Sequence, residues 1–187
     1  ALREELEVAD GLADPNVYVL DPCTGTGAYV AEVLRQIAST LRNKGDDALL
    51  GQDVKQAALG RVFGFELLPA PFVVAHLQIG LLLQQLGASL ADDERVGVYL
   101  TNALTGWEPP DMAKRAVQLQ LAGLPELAQE RDQAERVKRT APILVILGNP
   151  PYNGFAGIAQ GEEANLIEPY KSGLMTKWGV KKYNMDD

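Results

Sequence analysis

Four short stretches hold the side chains best suited to chemistry. The first is Asn149-Pro150-Pro151-Tyr152, directly after the apolar run Ile143–Leu147 and Gly148. Neither proline donates an amide proton, so the run cannot continue as a sheet strand through them. The result is a stiff polar and aromatic turn at the carboxyl end of that run. Such a turn complements a planar group that carries an amine. The second stretch, Asp21-Pro22-Cys23-Thr24-Gly25-Thr26-Gly27, joins a short apolar segment to an amphipathic one. Gly25 and Gly27 allow a sharp turn and close approach of a ligand to the backbone. The helix that follows would present free amides and a positive dipole end. The spacing is neither that of a P-loop nor that of the dinucleotide fingerprint, and a tight turn in a parallel sheet is the plainer alternative. Glu66 is third, a carboxylate suited to paired ribose hydroxyls, or else a surface acid at a strand end. Asn102 is fourth, an amide suited to an adenine edge, or else a turn former.

The elements that must carry these residues alternate. Residues 1–13 read as the end of a helix, broken at Asp14-Pro15-Asn16. Val17–Leu20 reads as a strand. Val30, Val33, Leu34, Ile37 and Leu41 then recur with helical spacing, up to about Asn43-Lys44-Gly45. Asp53 could cap a short helix through Leu59. Residues 61–65 form a second predicted strand, ending in Glu66. A helix starts at Pro69 and stops at Gly87. Its interior is apolar on almost every face, which predicts deep packing. A third strand covers 95–100 and a fourth 143–147, with helical patterning over 111–140 broken near Gly123-Leu124-Pro125. The fourth, a continuous apolar run, predicts a strand buried on both faces. Alternation of this kind predicts an α/β fold with a mainly parallel, doubly wound sheet. Asp21, Glu66, Asn102 and Asn149 all fall at or just past carboxyl ends of predicted strands, the rim where open α/β sheets bind ligands.

Composition narrows the class. With 187 residues, 47% hydrophobic and 22% charged, the chain can bury one real core. One cysteine permits no intrachain disulfide and no multi-cysteine metal site, which suits a cytoplasmic protein, and no metal ligands are assigned. Cys23 reads as a packed residue rather than a nucleophile, and His76 as a core residue rather than a base. The longest apolar stretch, Phe72–Leu86, is too short and polar to span a bilayer, so no membrane partner is expected. Net charge −8 argues against a free-standing nucleic-acid module. Residues 1–100 hold 7 basic and 14 acidic side chains, whereas residues 101–187 hold 10 and 11. Four lysines and no acid lie between Pro169 and Met185, alongside Tyr170, Trp178 and Tyr183. This stretch could touch DNA or be a solvated loop.

Taken together, the motifs resemble the S-adenosylmethionine-dependent N6-adenine DNA methyltransferases, whose glycine motif precedes their Asn/Asp-Pro-Pro-Tyr/Phe motif in the gamma-type order. The stretches Asp21–Val30, Gly64-Phe65-Glu66-Leu67-Leu68-Pro69-Ala70-Pro71 and Leu147–Gly154 are similar to the methylase region of the large type ISP restriction-modification enzymes. The similarity spans roughly residues 17–155. It implies a Rossmann-like fold of the class I methyltransferase type, incomplete at its carboxyl end. Residues 1–16 would be the end of an N-terminal helical segment and 17–187 a partial catalytic core.

The resemblance also assigns roles. Asp21, Pro22, Thr24, Gly25 and Gly27 would hold the amino-acid end of S-adenosylmethionine, Glu66 its ribose and Asn102 its adenine. Asn149 and Pro150 would bind the N6 amine of an adenine flipped from double-stranded DNA, and Tyr152 would stack on the base. The same polypeptide would carry a target-recognition domain, and in such enzymes a nuclease and a helicase-like motor as well. The chain starts at Ala1 and stops at Asp187, and the expectation is a piece of something larger. Two alternatives stay open: methylation of a glutamine side chain or an RNA base, and a non-catalytic fragment of the fold.

Overall fold

The computed structural model describes residues 1–45, 48–104 and 125–150, all within a compact unit spanning Ala1–Pro150. The predicted helix over residues 1–13 is absent. Glu7 and Gly11 both take positive φ, which interrupts any helical run, and only a 3-10 turn forms over Gly11–Ala13. The Arg61 guanidinium ties this segment down, donating to the carbonyls of Leu12 and Val17 at 2.9 and 3.1 Å.

Four strands and four α-helices follow among the described residues. β1 covers Tyr18–Asp21. α1, Ala28–Asn43, buries Val30, Val33, Leu34 and Ile37 on one stripe. α2 runs Leu50–Gly60, beginning before Asp53; that residue lies in the first turn, where an acid favours the helix dipole, and does not cap it. β2 is Val62–Glu66 and α3 is Pro69–Gln85, stopped by Gly87 at φ 75°. β3 is only Val98–Leu100. The predicted start at residue 95 fails because the Gly97 amide bonds to the Ala58 carbonyl and the Val98 amide to the Val96 carbonyl, outside any ladder. α4, Pro125–Thr140, and β4, Ile143–Ile146, complete the described chain.

The sheet is parallel throughout, in the order β3-β2-β1-β4. Its two faces are covered by different helices. Val17, Val19, Val62 and Val98 pack with α1, α2 and α3, while Phe63, Phe65 and Tyr99 pack with Ala134 and Val137 of α4. This is the doubly wound, Rossmann-like α/β arrangement expected from the alternating elements.

Two burial expectations are corrected. α3 is not sunk in the core: Ala75, Ile79, Leu82 and Leu83 face inward, but Leu77 is 61% exposed and Val73 and Leu81 are similarly open. One stripe of a helix meets the layer beneath it, whatever the composition of the others. β4 is not buried on both faces either, since Ile146 is 69% exposed and Leu144 is also open. It is the edge strand of the described sheet, and α4 packs over β2 and β3 instead.

Candidate active site

The strand order decides what can meet. From β1 the chain steps outward to β2 and β3, then returns to pair β4 on the other side of β1. The carboxyl ends of β1 and β4 therefore lie side by side at a topological switch point, where crevices open in such sheets. The Leu147 amide donates to the Leu20 carbonyl at 3.0 Å, holding the two ends together. The glycine loop leaves one of these ends and the Asn149–Pro150 turn leaves the other.

The loop is built by local bonds. The Thr24 hydroxyl donates to the Asp21 carbonyl at 3.0 Å, and the Thr24 amide to the Phe65 carbonyl at 3.0 Å. Gly25 and Gly27 take φ of 56° and 91°, a region costly for residues with a Cβ. At Gly25 a Cβ would meet nothing within 4 Å, so the backbone there borders open space. Gly27 instead packs on α3, where a Cβ would come within 3.0 Å of Ala75. Gly64 of β2 lies under Thr24 so closely that any side chain would strike the hydroxyl.

Glu66 joins this loop directly. Its two oxygens accept the amides of Gly25 and Leu68, each at 2.8 Å. A carboxylate has about four acceptor positions, so further hydroxyls can still bind. Asp21 is 1% exposed. One oxygen accepts the Cys23 amide at 3.0 Å, while the other is buried with no hydrogen-bond partner. Burial pushes its pKa above the usual carboxylate range, the Cys23 amide draws it back, and the charge of Glu66 pushes it up again. Burial likewise raises the Cys23 thiol, helped by the charges of Asp21 and Glu66, which disfavours a thiolate nucleophile.

Asn102 is placed differently. It lies beyond β3, whose end joins that of β2 through the Thr101 amide and the Glu66 carbonyl at 2.8 Å. Its side-chain oxygen accepts the Leu104 amide at 2.9 Å, the turn-forming arrangement. Lys138 of α4 reaches it from below, donating to the Asn102 carbonyl at 2.6 Å and the Thr101 hydroxyl at 2.9 Å. The ammonium also sits 5.1 Å from the Phe65 ring centroid. Burial lowers its pKa to about 8, and Glu135 opposes the shift. Asn149 and Pro150 are exposed on the rim. Tyr152 and the Lys171–Lys182 stretch lie outside the described residues.

Sequence reading missed Lys138, Gly64 and Gly148. All three matter through contacts with residues far away in the chain, and only a strand–glycine–strand pattern hinted at Gly64. His76 is as expected a satisfied residue: its Nε2 lies 3.2 Å from the Val98 carbonyl, its ring meets Phe72 edge-on, and burial holds its pKa below the ordinary imidazole range. Among the described residues no group of His, Cys, Asp and Glu is arranged to hold a metal ion, and no helix is long and apolar enough to cross a membrane.

The chain matches no protein-family model, and no curated protein resembles it in sequence. Solved structures resemble it in fold. The nuclease-deletion mutant of the Type ISP restriction-modification enzyme LlaGI in complex with a DNA substrate mimic matches over 81% of this chain, at 20% identity and a TM-score of 0.59. The DrdV–DNA complex, solved by cryo-electron microscopy, matches over 97% at 22% identity and a TM-score of 0.65. The ATP-dependent Type ISP restriction-modification enzyme LlaBIII bound to DNA matches over 99% at 21% identity and a TM-score of 0.65. The matched region is 11%, 16% and 12% of those chains, respectively, so this chain spans a small part of their length.

The described residues fit the cofactor that the resemblance implies. Open space borders the Gly25 backbone, Asp21 holds a buried acceptor without a donor, and the Glu66 carboxylate adjoins both at the next strand end. An amino-acid ammonium and a ribose diol are complementary to that set.

Proposed function

We propose that this chain is the methyl-transfer part of a DNA restriction-modification enzyme, acting on the N6 amine of an adenine flipped out of duplex DNA. One observation carries the reading: the switch point sets a glycine loop, with a buried carboxylate of which one oxygen has no donor, beside the Asn149–Pro150 turn. The fold likeness to two Type ISP restriction-modification enzymes and to DrdV, all solved with DNA or a DNA mimic, supports it.

S-adenosylmethionine, when bound, supplies an electrophilic methyl group. Asp21 and the Thr24–Gly27 backbone hold its amino-acid end, Pro22 shapes the start of that loop, Glu66 accepts the ribose hydroxyls, and Asn102 borders the adenine. On the other half, the Asn149 side-chain oxygen and the Pro150 carbonyl accept the two protons of the target amine. That geometry pulls the nitrogen away from planarity and turns its lone pair outward from the ring. The prolines keep the carbonyl free of sheet hydrogen bonds. Flipping a base costs a few kcal/mol. Stacking on Tyr152 returns roughly 1–3 kcal/mol of it, and the two hydrogen bonds supply discrimination.

With a net charge of −8, the chain itself offers duplex DNA little attraction. Target recognition, and any nuclease or motor, belong in this proposal to further domains of the polypeptide. Methyl transfer from labelled cofactor to duplex DNA is the test, with a glutamine-bearing protein substrate in parallel. Asn149→Ala is expected to lower transfer roughly 100- to 1,000-fold, the scale for losing one positioned hydrogen-bonding group, with cofactor affinity nearly unchanged by calorimetry. Transfer to the protein substrate alone, or near-normal transfer by the variant, would overturn the proposal.

A further inference from the structure

The base of the Asn149–Pro150 turn rests on the floor of the glycine loop. A Cβ on Gly148 would stand 2.8 Å from Asp21 Oδ1 and 3.3 Å from Pro22 Cδ. Gly148 has no positive φ, so its backbone would accept any residue and only this contact forbids a side chain. The touched carboxylate cannot easily yield. It is 1% exposed, and the same oxygen holds the Cys23 amide at 3.0 Å. Behind it, the Thr24 hydroxyl bonds the Asp21 carbonyl and lies tightly on Gly64 of β2. The contact thus joins the acceptor turn to Asp21, whose backbone carbonyl is held by Thr24 where that residue lies on Gly64.

Resting on the methyl-transfer reading above, we propose that Gly148 is a positioning residue: its bare backbone, seated on Asp21 and Pro22, sets the spacing between the cofactor loop and Asn149. Asp21 then serves both halves, with one oxygen facing the turn and its backbone starting the glycine loop. A side chain at 148 would push the turn away without removing any group that touches either substrate.

The test uses the intact protein, with single-turnover methyl transfer to duplex DNA and calorimetric S-adenosylmethionine affinity as separate readouts. A misplacement of the order of 1 Å costs about 100-fold in rate, and that loss is expected for Gly148→Ala with little change in cofactor affinity. Gly80→Ala is the control, because a Cβ there meets nothing within 4 Å; it should transfer at the normal rate. In an Asp21→Ala background the added methyl has room, so the further loss caused by Gly148→Ala should shrink to less than about ten-fold, a coupling typical of residues in contact. If Gly148→Ala unfolds alone but the double variant folds and transfers, the same contact is supported. A normal rate in Gly148→Ala, an equal loss in both backgrounds, a parallel fall in cofactor affinity, or failure of both variants to fold overturns the role. In each of these cases the unsubstituted protein still transfers methyl groups. If it does not, the proposed reaction itself fails and this role falls with it.

Discussion

The two halves of the site are made in contrasting ways. The β1–β2 end is enclosed: Asp21, Thr24 and Phe65 are buried, and the backbone of the glycine loop is pinned by Glu66 and by the Phe65 carbonyl. The β4 end is open, with Ile146 69% exposed and Asn149 and Pro150 on the rim. If this half holds the proposed cofactor, a preformed, rigid cradle would suit it, since preorganisation lowers the ordering cost of binding. In the proposed reaction, a turn that meets a base extruded from DNA would need access. Pro150 supplies locally the stiffness that packing supplies on the other side.

Substitutions can test whether the enclosed half is as rigid as it looks. Gly64→Ala should have the largest effect on stability, because the new methyl strikes the Thr24 hydroxyl under the loop. Overpacking of this kind costs about 1–3 kcal/mol. For a chain of this size that is a drop of several degrees in Tm, at roughly 2–4 °C per kcal/mol. An unchanged Tm would mean that the loop yields.

Asp21→Asn should act in the opposite direction. The buried, partnerless oxygen makes the ionised form costly, so the amide variant should be more stable near neutral pH by about 1 kcal/mol. The sign follows from linkage. The folded-state pKa of Asp21 is raised above 3.8, so its favourable contribution is complete below that pH and is lost as pH rises through the folded value. Denaturant midpoints for the two proteins should therefore converge in acid and separate towards neutrality. A less stable Asp21→Asn protein at pH 7 would show that the carboxylate is satisfied.

Lys138 allows a gentler test at the edge of the enclosed half. Its pKa is lowered from 10.5 to about 8, so the unfolded chain binds more protons between those values. Stability should rise with pH across that window through this group, and Lys138→Met should flatten the rise in a Tm-against-pH series. Identical slopes would place the ammonium in water.

The smallest effect is expected on the open side. Ile146→Thr keeps a β-branched side chain at an exposed strand position, and the change should stay within about 0.5 kcal/mol. A loss above 2 kcal/mol would show that this face is covered in the intact protein, and the contrast between the halves would shrink accordingly.

Much of this was legible in the chain itself, wherever the signal was local. The helical spacing of Val30, Val33, Leu34 and Ile37 predicts α1, and it forms over Ala28–Asn43. Gly25, Gly27 and Gly87 mark turns, and all three take positive φ. Asp21 and Glu66 end β1 and β2 as read. Failures came where a local pattern met a distant competitor. Residues 95–97 read as strand, but Ala58 takes the Gly97 amide. Apolar content suggested that α3 and β4 are buried, yet burial depends on which neighbour lies opposite, and no short window of sequence contains that.

By itself, then, the amino-acid sequence determined the alternation of strands and helices, the glycine turns and the stiffness at Pro150, because dihedral preferences and periodicity act over a few residues. Only the tertiary structure decided the order β3-β2-β1-β4, and with it that residues 21 and 148, more than a hundred positions apart, come into contact. Strand order is a matter of non-local pairing and of which faces the helices cover. The buried carboxylate between loop and turn exists only once that choice has been made.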